Sequence, residues 1–128
     1  MSDMDDLAQF LRDRLDEDEQ AARAAHAPNW STDGRTGLHY GVEDGWMTDA
    51  LTTADADHIA RHDPARVLRE VEAKRRLLTD YEENAADLDA QHAPDMDYVG
   101  RADGLETALQ HLATAYADHP DYRDAWRP

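Results

Sequence analysis

DADHIARHDPARVLREVEAKRRLL, residues 55–78, decides how the rest of the chain is read. It joins two histidines four apart to an Asp-Pro pair and then to a run in which basic and apolar residues alternate. Asp63 suits a helix N-cap, and Pro64 suits the first helical position, where its missing N–H costs nothing. One helix is therefore expected over 55–62 and a second, on a new axis, over 64–90. Along the second, Val67, Val71, Leu78, Tyr81, Ala85 and Leu88 recur at helical spacing, and Leu68 and Leu77 widen the stripe. Lys74 interrupts it, but the stem of a lysine can lie on apolar surface.

Working outward, the segment before this stretch predicts a helix over 3–26. Ser2 and Asp5 form a variant of the capping box, Met4, Leu7, Ala8, Leu11, Leu15 and Ala22 keep helical spacing, and Pro28 stops the run. Residues 28–53 change character, with four glycines and two of the three tryptophans. LHYGV and WMT read as short strands flanking Asp44-Gly45, a turn pair that predicts a β-hairpin. After the long helix, 91–104 reads as a loop and 103–117 as a helix burying Leu105, Ala108, Leu109, Leu112 and Tyr116. Pro120 opens a terminal turn over 120–126, in which Tyr122 and Trp126 can cover one end of the bundle. The expected class is mainly α (α+β): a small helical bundle with a short β-hairpin inserted after the first helix. A length of 128 residues fits one domain.

Asp and Glu number 29 against 13 Lys and Arg, for a formal charge of −16. That balance opposes attraction to a phosphate backbone or an anionic membrane. It suits a solubilising surface, or one that imitates DNA toward a basic protein. With no cysteine, thiolate metal sites, disulfides and cysteine nucleophiles are excluded. No apolar run approaches the ~20 residues needed to span a bilayer, and the start MSDMDDLAQF is acidic where a signal peptide would be basic. A cytoplasmic location is expected.

Asp55, His58 and His62 share one helix face, in a spacing that permits zinc or manganese. Ile59 stands where a zincin motif would carry its glutamate base. As plain helix residues, His58 and His62 would instead favour the dipole of the last turn. Asp18 falls on the apolar stripe between Leu15 and Ala22, and a carboxylate there needs a partner. Either a metal or an arginine among Arg66, Arg69, Arg75 and Arg76 could supply it. His119, between Asp118 and Pro120, is the candidate ligand from a distant part of the chain. The only serines, Ser2 and Ser31, lie in no nucleophile elbow, and no catalytic residue is assigned.

Three blocks in order, FLRDRLDEDEQAARAA, HIARHDPARVLREVEAKRRLL and HLATAYADHPDYRDAWRP, resemble domain-of-unknown-function family 6221, small acidic actinobacterial proteins. The middle block is also similar to a pattern of small phage proteins, through Ala56, Ile59, Ala60, Pro64, Val67 and Leu68. What the resemblance implies is a link to phage or mobile elements, and no activity. The leading expectation is a non-enzymatic interaction module that binds a protein, with a homodimer through the long helix also open. The alternative is a divalent-metal protein or metal-dependent hydrolase built on Asp55, His58, His62, His119 and Asp18.

Overall fold

A computed structural model describes residues 2–34, 37–41, 45–49, 51–90 and 95–128. Its elements are α1 (Asp3–Ala24), β1 (Ser31–Thr32), β2 (Leu38–His39), β3 (Trp46–Thr48), α2 (Thr53–Arg61), α3 (Pro64–Asp89) and α4 (Met96–Ala113). Two 3-10 turns follow, Thr114–Tyr116 and Asp124–Trp126. The protein is mainly α with a small antiparallel sheet, as the periodicities predict. By its internal contacts the chain divides into two compact units, residues 1–15 with 73–128, and residues 16–72.

In the first unit α1 opens on the expected reciprocal cap. The Asp5 N–H donates to Ser2 Oγ at 3.1 Å, and the Ser2 N–H reaches back to Asp5 Oδ2 at 3.4 Å. The core comprises Leu7, Ala8, Phe10, Leu11 and Leu15 of α1, Leu78 and Tyr81 of α3, Leu109 and Ala113 of α4, and Trp126. Phe10 lies off the predicted stripe because it serves the C-terminal turns. Its ring centroid is 5.1 Å from that of Trp126 and 6.0 Å from that of Tyr122, so these aromatics do close one end. Asn84, on the core side of α3, is also buried and donates from Nδ2 to the Tyr98 carbonyl at 3.2 Å.

One expectation fails here. Of the 91–104 expected as a loop, 91–94 lie outside the described residues and 96–104 are helical: α4 begins at Met96 and runs through Gly100 and Gly104. Asp95 caps it, its side chain accepting from the Asp97 N–H at 2.8 Å. A cap ahead of the two glycines and the buried Leu109 and Ala113 behind them carry the helix.

In the second unit the strands order as β1-β2-β3, all antiparallel. The predicted hairpin is β2 with β3, closed by the Tyr40 N–H donating to the Gly45 carbonyl at 2.9 Å. Asp44, the first residue of the expected turn pair, lies outside the described residues. β1 was not anticipated, because two residues, Ser31 and Thr32, give no period to read. α2 packs against β1. The Asp63-Pro64 joint forms as predicted: α3 starts at Pro64, and Asp63 Oδ1 accepts from the Arg66 N–H at 2.9 Å. Its other oxygen accepts from the Trp30 N–H at 3.2 Å, tying the joint to the segment that leads into the sheet. No helix among the described residues is long and apolar enough to cross a membrane.

Candidate functional site

α2 starts two residues before its predicted bound, at Thr53, with Thr52 Oγ1 accepting from the Asp55 N–H at 3.1 Å. Asp55 is exposed in the first turn, where its charge favours the helix dipole. His58 and His62 are exposed and adjacent, their ring centroids 4.4 Å apart. His62 Nδ1 lies 2.7 Å from the His58 carbonyl, so an N–H there would satisfy one of the orphan acceptors at the end of the helix. This is the work of a helix terminus.

Asp18 is half-buried and shares an open pocket of about 280 Å³ with His62, Trp30, Pro64, Val67 and alanines of α1. Apart from Asp18 and His62 that lining is mostly apolar. Arg66, one of its proposed partners, pairs with Glu70 at 3.0 Å.

His119 serves the first unit. Its ring lies edge-on to Phe10 at 5.6 Å, and its Nδ1 accepts from the Asp121 N–H at 3.0 Å. Arg14, only 8% exposed, places its guanidinium Nη1 2.8 Å from Nδ1 and 2.6 Å from Nε2, and the group also sits 5.0 Å over the Phe10 ring. Among the described residues no three His, Asp or Glu side chains gather where one ion could be held.

The feature that sequence reading missed is on the sheet. β3 is an edge strand, and its Trp46 is 59% exposed. The indole is nonetheless held in place. It stacks on His39 at 4.2 Å between ring centroids, tilted by 37°, and lies over Gly37. A Cβ added at Gly37 would come within 2.7 Å of the Trp46 ring and 2.6 Å of Asp33 Oδ2, so only glycine lets the ring settle there. Pairing places His39 opposite Trp46 and Leu38 opposite Thr48, a register shift that marks a bulge in β3. Bulges are one device by which an edge strand is kept from indiscriminate pairing. A Trp in a hairpin segment signalled only β propensity; that it would be exposed depended on which face the bulge turned outward.

Fold and geometry thus define a class: a strongly acidic helical protein with a small sheet whose free edge presents a fixed tryptophan. The chain belongs to a family of unknown function (DUF6221), whose model matches residues 4–128. No curated protein and no solved structure matches it.

Proposed function

We propose that this chain is a non-enzymatic interaction module that docks a basic protein through the edge of its sheet, with Trp46 as the anchor. The observation that carries the reading is Trp46 itself, 59% exposed yet oriented by His39 and Gly37. An aromatic ring ordered before binding loses little side-chain freedom on docking, and tryptophan is enriched among the residues that dominate interface energies. Charge selects the partner. A formal charge of −16 opposes close approach of a second copy and favours a cationic surface, chiefly through a faster encounter.

Capture from native lysate on immobilised protein, run beside Trp46→Ala, tests the reading. The expected outcome is a reproducible basic protein, retained by the wild type, weakened at least about tenfold by the substitution and released by salt. If the variant retains the same protein equally well, or if no basic protein recurs, the reading is wrong. A DNA-binding protein as the recurrent partner would extend it toward imitation of a phosphate backbone.

A further inference from the structure

In the first unit, the opening turns of α1 and the closing turns of α3 border a groove of about 530 Å³, within the range that small molecules occupy. Its rim carries four carboxylates, Asp5, Asp6, Glu82 and Asp89, against one guanidinium, Arg12. Arg12 is already engaged by Glu82, and Asp6 by Arg123 at 3.0 Å. Asp89, the last residue of α3, has no ion pair among the described residues. Ala85 and Ala86 contribute an apolar lining.

A rim of acids would by itself be only a solvated surface. Tyr81 sets this one apart. The residue is 7% exposed, and it lines the groove. Its hydroxyl makes no hydrogen bond among the described residues, and the residue forms part of the groove wall. Burial, and then the charges of Asp5 and Glu106, push the phenol above its ordinary pKa of 10.0, with Arg12 opposing. The hydroxyl oxygen thus sits in a negative field, where it is an acceptor suited to a cationic donor.

We propose that this groove binds a linear aliphatic polyamine, independently of the protein partner inferred above. Ammonium groups would donate to Tyr81 Oη and to the carboxylates of Asp5 and Asp89, and the methylene chain would lie along Ala85 and Ala86. The apolar lining argues for an alkylammonium over a bare metal ion. So does the absence, among the described residues, of three acids or histidines gathered around one point.

Isothermal titration of the full chain with spermidine tests this at about 0.15 M salt, where diffuse attraction to an acidic protein is largely screened. One saturable site is expected, and the uncharged 1,4-butanediol should not compete for it. Tyr81→Phe keeps the packing and removes only the acceptor, so it should weaken binding about three- to tenfold. Asp89→Asn should weaken it similarly, whereas Asp118→Asn, an exposed acid outside the groove, should leave it unchanged. Circular dichroism confirms that each variant is folded. Failure to saturate, equal weakening by Asp118→Asn, or unchanged affinity in folded Tyr81→Phe would each overturn the proposal.

Discussion

Asp63 uses its two carboxylate oxygens for two different neighbours. One caps α3 through the Arg66 N–H, and the other holds the Trp30 N–H thirty-three residues back in the chain. Asp63→Ala should therefore cost more than a plain cap, about 2 kcal/mol by urea denaturation. Asp63→Asn has one acceptor left and should cost roughly half of that; equal losses for the two variants would show that only one bond matters. Glu106 gives a residue-scale test in pH. Burial, and then Asp103, raise its carboxyl above the ordinary 4.5. From 4.5 up to the raised value the folded chain holds more proton than the unfolded one, so stability falls as pH rises through that window and stays lowered above it. Glu106→Gln should accordingly raise the melting temperature at neutral pH, with the gain vanishing well below pH 4.5.

At the scale of elements, α4 is where sequence reading and structure part. Gly100 and Gly104 are exposed in its middle, and a Cβ at either would meet nothing within 4 Å. Neither position carries a positive φ, so both pay the glycine penalty without needing the freedom. Gly100→Ala and Gly104→Ala should each stabilise the protein by about 0.5–1 kcal/mol, additively within error, in chemical denaturation. Loss of stability in either variant would show that α4 needs those glycines. The boundary error had a physical cause: propensity is a sum of small terms, and here the Asp95 cap and the packing of Leu109 and Ala113 outweigh two of them. The long helix had no such conflict. Its Asp-Pro start and apolar stripe agree, and it spans Pro64–Asp89 against a predicted 64–90.

Over the whole molecule, the formal charge of −16 loads the folded state with self-repulsion. Raising sodium chloride from 0.1 to 1 M shortens the screening length from about 10 to about 3 Å. The melting temperature should climb by several degrees, since about 1 kcal/mol is worth roughly 3–6 °C at this size. A flat response in calorimetry would mean that ion pairs such as Arg61–Asp57 and Arg66–Glu70 already offset the repulsion.

The features legible along the chain were local: the capping box at Ser2 and Asp5, the restart at Asp63-Pro64, the hairpin of β2 with β3, and the acidity. Each is written within a few residues, in a period, a cap or a composition. Pairing across distance came only with the packed fold. His119 met Arg14 and Phe10, β1 gained a partner, and Trp46 was left facing out over Gly37. Tyr81, read only as part of a core stripe, also lines an acidic groove between turns some seventy residues apart. Such placements depend on which faces meet once helices pack, and a pattern confined to i, i+3 and i+4 holds no record of that.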